Sequence, residues 1–169
     1  MTNYSTYVDW RRTFHQYPEL SDEEYKTTEK LRKILKSYGI RILEVPLKTG
    51  LVAEIGQGEE MIAVRTDIDA LPIEEQVKHE FTSKYQGAMH ACGHDIHMAS
   101  ILATGIQLKE IEDELNGRVR LIFQPAEELG HGAFEIINTG VLKGAKAVLG
   151  FHNYPTLKVG EFAIKSGAI

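Results

Sequence analysis

The chain has 169 residues, a formal net charge of −5 and an ordinary globular composition. This length is sufficient for one domain with a sizeable core, and the acidic balance gives no indication of nucleic-acid binding. No apolar run approaches the roughly 20 residues of a membrane span, the N-terminal segment lacks the apolar core of a secretory signal, and the single cysteine cannot form an internal disulfide. We therefore expect a cytoplasmic protein without nucleic-acid or membrane partners.

Two helices are predicted at the start of the chain. The first begins near Tyr4 and ends before Pro18, because apolar residues recur there with helical spacing. The second is predicted to start at Ser21, which forms a capping-box pattern with Glu24, and to end at Gly39.

Strands and helices alternate along the rest of the chain. Six apolar runs predict strands: ILEVPL (42–47), LVAEI (51–55), MIAVR (61–65), RVRLIFQ (118–124), KAVLGFH (146–152) and VGEFAIK (159–165). A third helix is predicted from about Ile96 to Leu115, and a fourth of roughly ten residues follows the Gly132 region. This alternation predicts an α/β fold, layered α/β/α, with a mixed, mostly parallel sheet.

Polar side chains follow several of these strands. Asp67 and Asp69 come after MIAVR, Glu127 and Glu128 come after RVRLIFQ, and His152 ends KAVLGFH. Sites in sheets of this class form at the carboxyl ends of strands. We therefore expect these residues to converge at one edge of the sheet.

The segment HACGHDIH (90–97) concentrates the only cysteine, three histidines and one aspartate in eight residues. Cys92 and His94 are two residues apart, so in extended backbone their side chains point to the same side. Thiolate and imidazole are good ligands for zinc and similar metals, which favours ligation over a buried cysteine beside surface histidines. His97 could either orient a ligand or cap the helix.

The other polar residues also have plain structural interpretations. Glu127 and Glu128 could divide the tasks of metal ligand and general base, or could be a solvated pair on a loop. Asp67 and Asp69 suit an ordinary turn as well as a site, and His152 alone fits a core histidine. Three further histidines lack neighbours at a useful spacing and are predicted to lie at the surface: His15, His79 and His131.

Four motifs in fixed order, RTDIDALP (65–72), MHACGHDIH (89–97), FQPAEE (123–128) and GFHNYP (150–155), resemble those of metal-dependent amidohydrolases that cleave N-acyl amino acids. This group includes N-acetyldiaminopimelate deacetylases, hippurate hydrolases and plant auxin-conjugate hydrolases, within the dinuclear carboxypeptidase and aminopeptidase superfamily. The resemblance runs from HQYPEL (15–20) to VGEFAIKSG (159–167). It implies a zinc-aminopeptidase-like catalytic domain with two divalent metals, zinc being favoured and manganese, cobalt or nickel being alternatives.

The resemblance also implies a role for each matching residue. Glu127 matches the general base, which accepts a proton from the attacking water and returns it to the leaving amine. Asp67 matches the aspartate that, in the wider superfamily, supports a histidine ligand two residues earlier. That position is Arg65 here, which stays protonated and cannot bind a metal, as is typical of the cysteine-containing branch. Four residues match metal ligands: Cys92, His94, Glu128 and His152.

The resemblance further implies a longer enzyme. The family has another histidine ligand near its C-terminus and an inserted lid and dimerisation domain that begins shortly after the GAI at the end of this chain. We therefore expect residues 1–169 to be the N-terminal part of the catalytic domain of a homodimeric hydrolase, with little or no activity alone. The alternatives are a non-catalytic metal-binding or regulatory domain on the same fold, and an enzyme that uses Cys92 as a nucleophile.

Overall fold

The computed structural model describes residues 4–164. Its elements in chain order are α1 (Tyr4–Gln16), α2 (Tyr25–Ser37), β1 (Arg41–Leu43), β2 (Leu51–Gly56), β3 (Met61–Asp67), α3 (His94–Glu110), β4 (Arg118–Gln124), α4 (Gly132–Asn138) and β5 (Val148–Gly150). A short 3-10 turn at Glu112–Glu114 follows α3. Within these residues, no helix has the length and apolar character required to cross a membrane.

The strands form one mixed sheet in the order β1-β2-β4-β3-β5. β1 pairs with β2, and β2 with β4, in antiparallel fashion, whereas β3 is parallel to both β4 and β5. The predicted α/β class and mixed sheet are confirmed, with the parallel pairs confined to one half of the sheet. In that half the carboxyl ends of β3, β4 and β5 meet at one edge.

Helices cover both faces of the sheet, because side chains of each central strand alternate between the faces. One face of β2 and β4 packs against α1, α2 and α3, with a core that includes Leu31, Leu35, Leu51, Ile55, Met98, Leu102, Leu121 and Phe123. The other face packs against α4 and the turn after it, with Val52, Ala63, Ile122, Ile136 and Val141. The predicted α/β/α layering is therefore confirmed.

The predicted capping box of α2 is wrong. The helix begins at Tyr25, and the amide groups of Lys26 and Thr27 donate to the Glu19 carboxylate at 3.2 and 2.7 Å. Ser21 and Glu24 bind distant parts of the chain instead. Tertiary partners thus displace the local cap that the sequence pattern suggested.

Other boundaries also differ from the predictions. α3 begins at His94, two residues before the predicted start, and α4 has seven residues rather than ten. The predicted strand at 159–165 is wrong over residues 159–164, which pair with no strand in the described range 4–164. Lys165 lies outside that range. The predicted strand from Ile42 to Leu47 ends at Leu43, ahead of Pro46, which cannot donate to a ladder.

Candidate metal centre

The parallel half of the sheet gathers all six predicted site residues around the start of α3. Asp67 ends β3, the loop with Glu127 and Glu128 follows β4, and His152 lies two residues after β5. His94 is the first residue of α3. Three groups of possible ligand atoms share this histidine, each with its atoms within 4.8 Å of one another: Cys92–His94–His152, His94–Glu127–Glu128 and Asp67–His94–His97.

His94 lies at the centre of the site. Its Nδ1 is 2.9 Å from the backbone carbonyl of Asp69, which can only accept, so Nδ1 carries the proton and Nε2 presents a lone pair. Among residues 4–164, Nε2 is buried without a hydrogen-bond partner, and it lies 3.6–3.7 Å from carboxylate oxygens of Asp67, Glu127 and Glu128. A buried lone pair among carboxylates is the arrangement expected around a cation.

The electrostatic environment of His94 also favours positive charge. Although burial lowers the pKa of the imidazole, its interaction with Asp69 and the negative charge of Asp67 raise that pKa above the usual value. The surrounding carboxylates therefore favour positive charge at His94.

His152 and Cys92 form the second side of the site. The His152 Nδ1 lies 2.8 Å from the Asn153 carbonyl, so its Nε2 also presents a lone pair, which lies 3.2 Å from Cys92 Sγ. Burial and the charge of Glu128 raise the pKa of the Cys92 thiol to about 12. At neutral pH this environment favours the protonated thiol when no cation is bound.

His97 orients its neighbours and has no free nitrogen. Its Nδ1 donates to Asp67 Oδ1 at 2.6 Å, and its Nε2 accepts from the Asn153 amide at 3.1 Å. Although burial raises the pKa of Asp67, the His97 hydrogen bond and the charges of His94 and Arg65 lower it to about 2. Asp67 therefore stays ionised, and both nitrogens of His97 are bound to protein groups.

Gly93 brings the segment after β5 close to α3. Its φ of +89° is unfavourable for residues with a side chain, and an added Cβ would lie 2.3 Å from the Asn153 side chain. This close approach places His152 beside Cys92.

The two adjacent glutamates differ in exposure. The Glu127 side chain is 38% exposed, whereas that of Glu128 is 19% exposed. The Glu128 Oε1 atom is buried and has no hydrogen-bond partner in the part of the chain that the structure describes. The Glu128 amide also donates to Asp69 Oδ2 at 2.9 Å. Glu128 is thus held against the buried atoms of the site, while Glu127 faces its open side.

Asp69 connects three parts of the site, a role that the sequence did not specify. Its backbone carbonyl accepts from His94, and its Oδ2 accepts from the Glu128 amide and from Ser21 Oγ at 2.7 Å. The DID spacing (67–69) was the available signal, because it places Asp67 and Asp69 on the same side of an extended segment.

The prediction of a surface position for His15 is wrong. His15 is buried, and its ring nitrogens lie 2.8 Å from Asp95 and 3.1 Å from Glu75. These partners are 80 and 60 residues away, so local spacing could not reveal them. His79 is exposed as predicted, and His131 is partly exposed beside Asp22.

Comparison with known proteins identifies relatives of this chain. Residues 63–167 match the model of peptidase family M20/M25/M40. The chain is 50% identical over 165 residues to N-acetylcysteine deacetylase of Bacillus subtilis, covering 96% of this chain and 43% of that protein. It is 42% identical over 163 residues to N-acyl-L-amino acid amidohydrolase of Geobacillus stearothermophilus, covering 95% and 44%.

A solved structure agrees with these matches. The Bacillus subtilis YXEP protein, described as a dinuclear metal-binding peptidase of the M20 family, superimposes with a TM-score of 0.94 at 50% identity, covering 96% of this chain and 47% of that one. The chain spans less than half the length of each of these relatives. Because the family match covers more than half of its residues, this chain belongs to peptidase family M20/M25/M40.

Proposed function

We propose that this chain carries the metal centre of an enzyme that hydrolyses the amide bond of N-acyl amino acids. The observation that carries the proposal is the buried Nε2 of His94, which has no hydrogen-bond partner among the described residues and lies among three carboxylates, with the Cys92–His152 pair beside it. The deacetylase and amidohydrolase names of the two relatives agree with this substrate class.

The donor set fits two divalent cations. We assign the ligands to Cys92, His94, Glu128 and His152, whose chemistry, with one thiolate and two imidazoles, suits zinc best and leaves manganese, cobalt and nickel as alternatives. When bound, the metals supply Lewis-acid polarisation of the amide carbonyl and lower the pKa of a water molecule.

Glu127 is the proposed proton carrier. Its carboxylate lies on the open side of the site, 3.7 Å from His94 Nε2, so it can reach both an attacking water and the substrate nitrogen. It accepts the proton of the water and then donates it to the leaving amine. Asp67, which stays ionised and binds His97, keeps negative charge beside the metals and holds this side of the site in place.

We also propose that residues 1–169 are the N-terminal part of a longer, homodimeric, cytoplasmic enzyme, here termed the parent enzyme. The greater length of the relatives supports this proposal. A reducing cytoplasm would also keep the single thiol of Cys92 available as a ligand.

Metal removal combined with a substrate screen tests the proposed function. The parent enzyme, assayed against a panel of N-acyl amino acids, should lose activity with a chelator and regain it with added zinc, manganese, cobalt or nickel. Activity that survives complete removal of metal would contradict the proposal. A protein that binds metal but hydrolyses no member of the panel would favour a non-catalytic metal-binding domain.

Replacing Cys92 with serine should change metal affinity and metal preference. A hard hydroxyl replaces a soft thiolate, so the affinity for zinc should fall more than the affinity for manganese. In the cobalt-loaded protein, the thiolate-to-cobalt charge-transfer absorption should disappear. An acyl group trapped on the Cys92 sulfur would instead identify a nucleophile and contradict the ligand assignment.

A further inference from the structure

Glu24 is a fully buried carboxylate whose contacts lead to the glutamate pair. Its Oε1 accepts a hydrogen bond from the Ala126 amide at 2.8 Å, and its Oε2 accepts one from Thr49 Oγ1 at 2.7 Å. Both oxygens are therefore committed to fixed donors. Ala126 immediately precedes Glu127 and Glu128.

Ala126 has a conformation that needs external support. Its φ is +47°, in the left-handed region, which costs a residue with a side chain about 1–3 kcal/mol. Such a conformation persists only where neighbouring groups fix it.

The turn is held from two sides. The Gly132 amide donates to the Ala126 carbonyl at 3.2 Å, and a Cβ added to Gly132 would lie 1.7 Å from the Pro125 carbonyl oxygen. Gly132 therefore closes one side of the turn by close backbone contact. The Glu24 carboxylate fixes the opposite group of the same residue, its amide.

We propose that Glu24 is a positioning residue that fixes the Ala126 turn and thereby directs Glu127 and Glu128 towards His94. The inference rests on the proposed function for the roles of the two glutamates. It assigns to Glu24 a task in the metal centre in place of the helix cap that its sequence pattern suggested.

Two substitutions separate the effect of the length of the Glu24 side chain from the effect of its charge. Glu24→Asp keeps the carboxylate but withdraws it from the Ala126 amide by one methylene. Glu24→Gln loses the charge but keeps an oxygen acceptor at full reach, and its amide can donate to the Thr49 hydroxyl. If positioning is the role, Glu24→Asp is defective and Glu24→Gln resembles the wild type.

Glu19→Asp is the matched control. Glu19 lies in the same segment, and the substitution shortens its side chain by the same one methylene. Its carboxylate, however, accepts hydrogen bonds from the amides of Lys26 and Thr27 and so caps α2. A loss of general stability affects this variant and Glu24→Asp alike. A loss of positioning affects only Glu24→Asp.

The first measurement is amide hydrogen exchange in the metal-free parent enzyme. In Glu24→Asp, the Ala126 amide should exchange at least about tenfold faster than in wild type, whereas Glu19→Asp should leave it protected. This readout is independent of metal and substrate, so it tests the anchor even if the proposed function fails. Unchanged protection of Ala126 in Glu24→Asp would overturn the inference.

The second measurement is zinc affinity, with the melting temperature recorded in parallel. Glu24→Asp should bind zinc about 10–100-fold more weakly, the range for groups that orient metal ligands, while Glu24→Gln and Glu19→Asp stay near wild type. Equal losses in Glu24→Asp and Glu19→Asp, or a Glu24→Gln variant as weak as Glu24→Asp, would overturn the inference. Absence of zinc binding in the wild type would count against the proposed function instead.

Thr49→Val provides the test if Glu24→Asp does not fold. It removes the hydroxyl that fixes Glu24 Oε2 and leaves the side-chain volume nearly unchanged. The expected result is faster exchange of the Ala126 amide and weaker zinc binding, both smaller than for Glu24→Asp. Wild-type values for both quantities would contradict the proposed chain of contacts.

Discussion

Glu127→Gln in the parent enzyme is expected to lower kcat by at least about 100-fold, the effect typical of losing a general base. The amide is nearly isosteric with the carboxylate but cannot accept a proton from water. Because the Glu127 side chain is on the open side of the site, its replacement should leave the metal content close to that of wild type. Steady-state kinetics and elemental analysis of the same preparation check both parts.

Glu128→Gln is the matched variant for this experiment. It makes the same chemical change one residue along, at a side chain that is held against the buried atoms of the site. We expect it to lose metal first and activity as a consequence. If Glu128→Gln kept its metal and Glu127→Gln lost it, the roles assigned to the two glutamates would be reversed.

His94→Asn is expected to weaken the binding of one of the two metals by about 100-fold. Four-ligand zinc sites bind with about 10–16 kcal/mol, which corresponds to roughly 3 kcal/mol per ligand. Asparagine places an amide near the position of Nδ1 and can keep the bond to the Asp69 carbonyl, but it has no atom at Nε2. The other metal should be affected less, because Nε2 carries the one lone pair that this imidazole can offer and so binds a single cation. Isothermal titration with zinc measures the effect.

His97→Asn serves as the control for His94→Asn. This second buried histidine is one helical turn further along α3, and asparagine can keep its bond to Asp67. Since both nitrogens of His97 are committed to protein partners, we expect a smaller loss of affinity. Equal losses at the two positions would indicate that disruption of the helix, rather than removal of a ligand, causes the effect.

The fold class and the location of the site could be predicted from the sequence because both depend on local patterns. The run RVRLIFQ forms a buried strand over the predicted residues 118–124, and the polar groups that follow β3, β4 and β5 do converge at one edge of the sheet. A helix separates β3 from β4 and β4 from β5, and such helical crossovers connect parallel strands, so the carboxyl ends of these three strands were expected at one edge. The four motifs also predicted the family, which the match over residues 63–167 confirms.

Element ends and small elements were less predictable. Ser21 and Glu24 have the spacing of a capping box. In the structure, however, Ser21 binds Asp69, 48 residues away, and Glu24 binds the Ala126 amide, 102 residues away. The run at 159–164 has strand-like composition yet no neighbour to pair with in the described part of the chain. A segment with high strand propensity forms a strand only where another strand can pair with it, and the whole fold decides whether such a strand is available.

The sequence by itself determined which chemical groups are available and the order in which they occur: one thiol, a set of imidazoles and an adjacent pair of carboxylates at strand ends. Only the tertiary structure decided what each group does. Backbone carbonyls bind Nδ1 of His94 and of His152 and leave each Nε2 facing the site, whereas both nitrogens of His97 are bound by Asp67 and Asn153. The physical reason is that ligand geometry and protonation depend on hydrogen bonds between segments far apart in the chain, which no local pattern specifies.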